Sequence, residues 1–237
     1  MSRSADRVPR RLLALLACAA MACTPRDGAR PATGEPAGEP APTGEEGDSD
    51  STPIPAGVLG ELVSEAERIR GLRAKQPIAG IAVSEALIRA HIRQQVDEVD
   101  MRPAELVMRA FGFLPEDAGD LGELLVQLLG VEVVGLYEAD TDELMVRSEI
   151  ARGLGSNSPD AAESRAVLVH EVVHALQDQH FDTLSQTSDD VWADDRLSAL
   201  DCLAEGDATL ARIVAMIEGA GLDPSVTLSP CLLYTSP

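Results

Sequence analysis

Aromatic side chains are scarce in this chain, which has one Trp, two Tyr and three Phe in 237 residues. A core must therefore be built mostly from Leu, Val, Ile and Ala. Basic residues are also few: 19 Lys and Arg stand against 40 Asp and Glu, for a formal charge of -21 at pH 7. That balance argues against a nucleic-acid partner, because phosphate recognition needs a basic surface that releases counterions. No apolar run is long enough to remain in a bilayer as a spanning helix. Of the 4 Cys, Cys18 and Cys23 lie near the N-terminus, leaving Cys202 and Cys231, too few for a disulfide framework. Cys202, inside a helical pattern, reads as a small core residue. Hydrophobic residues do reach 45%, too many for a wholly disordered chain. One globular domain with appendages is the expectation.

Residues 1–23 read as an export signal. Arg3, Arg7, Arg10 and Arg11 precede an apolar stretch from Leu12 to Ala22, and the stretch ends at Ala22-Cys23. A basic segment, a short apolar segment and small residues are the parts of a secretory signal. A Cys directly after the apolar segment resembles the lipobox of bacterial lipoproteins. That likeness implies lipidation at Cys23 and a domain held at the membrane of the cell envelope. Residues 24–55 are rich in Pro, Gly, Glu, Ser and Thr and have no apolar period. They read as a solvated linker that cannot bury enough surface to offset chain entropy.

The domain is expected over 56–227. Helical spacing marks Val58–Lys75, with Leu59, Leu62, Ala66 and Ile69 on one side. Pro77–Val83 reads as a strand, and Ser84 caps a helix from Glu85 to about Val99. Further helices are expected over Pro103–Phe111 and from about Gly119 to Leu129. Val131–Tyr137 and Glu143–Arg147 read as two strands of a hairpin. Ser158-Pro159 starts a helix running to about Gln179, and the last long helix covers about Asp194–Glu218. The fold class is thus α+β and mostly helical. From Leu228 to Pro237 the pattern breaks down, and the ending resembles read-through of a cloning adapter.

The strongest chemical signal is His170-Glu171-Val172-Val173-His174, a H-E-x-x-H run on a predicted helix. Helix residues four apart are separated by about 6 Å along the axis and about 40° around it, so both imidazoles face one side and can grip one Zn²⁺. Glu171 lies about 100° around from His170, close enough to work beside such an ion without ligating it. Zinc held by neutral ligands lowers the pKa of water to about 7, and a neighbouring carboxylate can take the proton. Val167, Leu168, Val169, Ala175 and Leu176 flank the motif, so the helix is expected to be buried. Polar groups buried there must be satisfied. The bland alternative is a set of hydrogen-bonded core polar groups without an ion.

A catalytic zinc site needs a third protein ligand. His180 has the spacing of the metzincin pattern H-E-x-x-H-x-x-G-x-x-H, but Gln177 stands where that pattern needs Gly. Glu205, in Ala204-Glu205-Gly206-Asp207-Ala208, is the stronger candidate. It comes from a second helix whose small neighbours allow close approach, and it completes the His₂Glu set used by thermolysin-like enzymes. Asp201 and Asp207 are both placed to accept a proton from an imidazole Nδ1. The sequence does not choose between them.

Together, His170–Gln179 and Ala204–Ala208 resemble the gluzincin branch of the zincin metallopeptidases, in particular a group of bacterial and archaeal zinc-dependent proteases or lipoproteins. The likeness implies a zincin-like fold, with His170, His174 and Glu205 binding zinc and Glu171 as general base and then acid. It implies a peptide or protein substrate that pairs with the edge strand of a small sheet beside the metal helix, and the Val131–Arg147 hairpin is placed to supply that edge. Thermolysin-like enzymes carry Asp where this chain has Thr209. Tyr137 and His180 are the candidates for an oxyanion donor. The alternative within the same resemblance is an inactive zincin-fold envelope lipoprotein that binds or scaffolds.

Overall fold

The computed structural model describes residues 51–139, 141–156, 158–182 and 194–232. The expected signal at 1–23 with Cys23, the linker up to residue 50 and residues 233–237 lie outside this set. Among the described residues the order is β1 (Ser51–Pro53), α1 (Ala56–Arg70), β2 (Ala79–Val83), α2 (Glu85–Asp97), α3 (Arg102–Ala110) and α4 (Leu121–Glu132). There follow β3 (Gly135–Glu138), β4 (Glu143–Arg147), α5 (Ser148–Gly153), α6 (Pro159–Phe181), α7 (Asp194–Gly219) and α8 (Pro224–Leu232). The fold is α+β, mostly helical, with one small sheet. None of the described helices is long and apolar enough to cross a membrane.

The sheet has the order β1-β2-β4-β3. β1 is antiparallel to β2, β2 is parallel to β4, and β3 returns antiparallel to β4 with Tyr137 opposite Leu144. Side chains alternate across the sheet, and both faces are covered. Ala82, Leu144 and Val146 pack with the apolar sides of α1, α6 and α7. Val83, Leu136 and Met145 pack with Ile88, Ile92, Val126 and Leu129 of α2 and α4. The sheet is thus a middle layer, and β3 is its edge next to α6.

Local signals set the helix starts. The Ser84 side chain accepts the Leu87 N–H at 3.2 Å, Asp120 accepts that of Glu123 at 3.1 Å, and Ser158 accepts that of Ala161 at 3.1 Å, each satisfying a donor the first turn leaves open. Helix α1 stops at Arg70, short of the expected Lys75. Gly71 takes φ 72° there and its N–H closes on the Glu67 carbonyl, a left-handed cap that costs Gly little.

The structure corrects four further sequence expectations. Residues 51–54, expected in the linker, belong to the fold, because β1 pairs with β2 and Ile54, 5% exposed, enters the core. The apolar run from Val131 does not start a strand. Val126, Leu129 and Val133 keep the helical period against the α2 side, so α4 continues to Glu132 and β3 begins at Gly135. Cys202 is exposed, because α7 buries the Ala204, Ala208, Ala211 and Ala215 face while Leu203 and Leu210 face outward. Finally, α8 carries helix to Leu232, into the stretch expected to lack a pattern.

Candidate metal centre

Helix α6 is buried through its middle. Leu168, Val169, Val172, Val173, Ala175 and Leu176 are fully buried, enclosed by α1, α7 and the sheet. His170, Glu171 and His174 sit in this apolar sleeve and are buried with it. Helix α7 lies against α6 through its alanine face and adds one buried carboxylate, Glu205. Small side chains let two helix backbones approach, which brings the carboxylate to the imidazoles.

The three groups converge. The Nε2 atoms of His170 and His174 are 3.0 Å apart, with the rings edge to face at 4.6 Å between centroids. Glu205 Oε2 is 3.3 Å from His170 Nε2, and Oε1 is 3.4 Å from His174 Nε2. One ligand atom from each lies within 4.8 Å of the others, an arrangement that could hold a metal ion. The donor set fits a divalent cation: two imidazoles and one carboxylate, all buried, aim at a common point. A cation there offsets the desolvation cost of the buried carboxylate. Two nitrogens and one oxygen suit zinc among common metals, though other first-row ions accept the same donors.

Charge in the metal-free pocket follows from this closeness. Burial works against a charged His174 ring, but the Glu205 hydrogen bond and charge, helped by Glu171 and Gln177, raise its pKa to about 9. Burial likewise opposes a charged Glu205, yet hydrogen bonds from His170 and His174 and their charges hold its pKa down at about 2. In the metal-free protein the His174 ring and the Glu205 carboxylate form a buried ion pair.

Glu171 stands beside the group rather than in it. Its Oε2 accepts the main-chain N–H of Tyr137 on β3 at 3.1 Å. The strand comes this near α6 at Gly135, where a Cβ would lie 2.8 Å from both Leu168 Cδ2 and the Met145 carbonyl oxygen. A carboxylate buried in helix α6 is thereby held at β3, the last strand in the sheet order.

His180 is not brought to the centre. Helix α6 runs unbroken past Gln177 to Phe181, which carries His180 about 9 Å beyond His174 along the axis. Its Nε2 lies 2.7 Å from the Arg73 carbonyl instead. Tyr137 is engaged elsewhere as well, its hydroxyl donating to Asp142 at 2.9 Å with Asp178 Oδ2 at 3.4 Å. Burial and these two carboxylates push its pKa well up, so the phenol stays protonated. Neither sequence candidate for an oxyanion donor points into the centre.

The partner of His174 Nδ1 is neither Asp201 nor Asp207 but Gln177, whose Oε1 is 3.0 Å away. Gln177 Nε2 in turn donates to the Ala204 carbonyl at 3.0 Å and to Asp207 Oδ2 at 2.8 Å. Asp207 also takes the Arg70 Nε at 2.5 Å. Asp207 thus reaches the site one residue removed, and Asp201 lies half-buried one turn before Glu205. Gln177 was legible in principle, since a residue three positions after His174 shares its face of the helix.

No family profile, curated protein or solved structure matches the chain. The functional reading rests on the site itself.

Proposed function

We propose that this chain is a zinc-dependent peptide hydrolase of the zincin type. The observation that carries the reading is the convergence of His170, His174 and Glu205 from two helices, with the separate carboxylate of Glu171 set between that group and a sheet edge. A structural polar cluster has no need of the second carboxylate, or of an edge strand beside it.

His170, His174 and Glu205 hold the ion, and Gln177 keeps His174 turned towards it. A bound zinc supplies Lewis acidity, polarising a peptide carbonyl and easing ionisation of water. Glu171 is the general base: its carboxylate takes the proton from the attacking water and returns it to the departing amine nitrogen. The N–H of Tyr137 fixes the Glu171 carboxylate before that transfer. The outer margin of β3 offers main-chain groups to an extended peptide, as in strand addition. The signal read at residues 1–23 adds a location, the bacterial cell envelope, with a lipid anchor at Cys23.

The test joins metal content to turnover. Purified protein should carry one zinc per chain and cleave a diverse peptide library, and Glu171→Gln should keep the zinc while losing cleavage. Absence of stoichiometric zinc sinks the reading. Zinc with no cleavage on any peptide moves it to a binding or scaffolding lipoprotein.

A further inference from the structure

We infer that Gln177 is a positioning residue that fixes the ring state of His174 and couples it to the Glu205 helix, with Asp207 and Arg70 as its anchor. The inference rests on the metal reading above, and goes beyond it in naming what orients the ligands.

The side-chain amide of Gln177 has a determined direction. Its nitrogen lies 3.0 Å from the Ala204 carbonyl and 2.8 Å from Asp207 Oδ2. Both neighbours are acceptors, so only the NH₂ end can face them and both amide hydrogens are used. The oxygen end must then face His174 Nδ1, 3.0 Å away. An amide oxygen only accepts, so Nδ1 carries hydrogen and a neutral ring keeps its lone pair on Nε2. Nε2 is the atom turned towards His170 and Glu205. The tautomer required for a metal ligand is thus written by two acceptors and one amide.

The same amide spans the two helices that supply the ligands. Gln177 and His174 belong to α6, while Ala204 directly precedes Glu205 on α7. Gln177 is only 3% exposed, so water does not compete for these bonds. Arg70, the last residue of α1, pins Asp207 from outside at 2.5 Å. Three elements are therefore tied through one side chain. A buried side chain with all its polar atoms engaged in this way favours one geometry.

The experiment measures zinc dissociation constants by chelator competition, and records the His174 ring by ¹⁵N NMR in the zinc-loaded protein. Gln177→Met keeps the length of the side chain but removes acceptor and donors. It should weaken zinc binding about 10–100-fold, with loss of the slowly exchanging Nδ1–H signal. Gln177→Glu retains an acceptor for His174 but sets a carboxylate against Asp207, and should weaken binding as well. Adding Asp207→Asn to Gln177→Glu sets an amide nitrogen where Oδ2 stood, so that it donates to the new carboxylate while the Arg70 bond to that same atom is given up. Zinc affinity should then recover in part, because the Ala204 carbonyl remains unpaired. If Gln177→Met binds zinc within about twofold of wild type and keeps the Nδ1–H signal, the positioning role is wrong and the metal centre stands. If Gln177→Met does not fold, the Glu and Asn pair decides: weakening without any rescue overturns the relay. Wild type without zinc overturns the relay and the metal reading together.

Discussion

Tyr137 and Glu171 are joined by one hydrogen bond, from a main-chain N–H of the edge strand to a carboxylate on the buried helix, at 3.1 Å. The bond places the Glu171 carboxylate by backbone geometry, so no side-chain substitution at Tyr137 removes it. Proline at that position does, because it has no N–H to give. Tyr137→Phe, in contrast, removes only the hydroxyl beside Asp142 and Asp178. Cleavage by Tyr137→Phe should stay near the wild-type rate, and Tyr137→Pro should lower kcat sharply while zinc content is retained. A collapse of kcat in Tyr137→Phe would give the phenol a role in the chemistry.

The third ligand has a direct test. Glu205→Ala should cost more zinc affinity than the roughly 10–100-fold typical of residues that only support a ligand. His180→Ala should leave zinc content unchanged, since its ring is bonded to the Arg73 carbonyl. Metal analysis of the two variants after dialysis reads both outcomes. The opposite pattern would return His180 to the ligand set.

Stability of the metal-free protein should depend on pH through the same pair. His174 is raised from 6.5 to about 9, so its contribution is complete below 6.5 and lost as pH rises through about 9. Glu205 is lowered from 4.5 to about 2, so its contribution is present above 4.5 and lost as pH falls through about 2. Thermal unfolding in chelator should therefore show a decline between pH 6.5 and 9 that Glu205→Gln flattens. Zinc binding needs the neutral ring, so the stabilisation conferred by zinc should grow over that same alkaline range.

Gly135 gives a packing prediction. A methyl group there meets Leu168 Cδ2 and the Met145 carbonyl oxygen, both at 2.8 Å. The leucine can turn away, but the main-chain oxygen belongs to the paired strand β4. Gly135→Ala should cost about 1–3 kcal/mol in urea unfolding. It should also lift β3 off α6 and reduce kcat through Glu171. Unchanged stability would mean that the strand has room to shift.

Much of the centre was readable before any coordinates because its logic is local. Four-residue spacing on a helix fixes where His170 and His174 point, and small residues around Glu205 announce a close helix contact. What resisted reading was non-local. The apolar run from Val131 fits strand and helix alike, and only packing of Val133 with the α2 side decides it. Leu203 and Leu210 form a regular stripe on α7, yet the alanine face is the one that meets α6. Ile54 is one apolar residue in a polar stretch, and its burial depends on the pairing of β1 with β2. The Tyr137 amide cannot be read at all, since every residue but proline offers the same N–H.

The sheet order places β1 and β3 on opposite margins. With strands about 4.8 Å apart, three spacings put roughly 14 Å of sheet between them. The chain therefore comes into the domain at Ser51 on the side away from Glu171. A bulky reporter or a solid support joined at Ser51 will attach to the flank opposite β3 and Glu171.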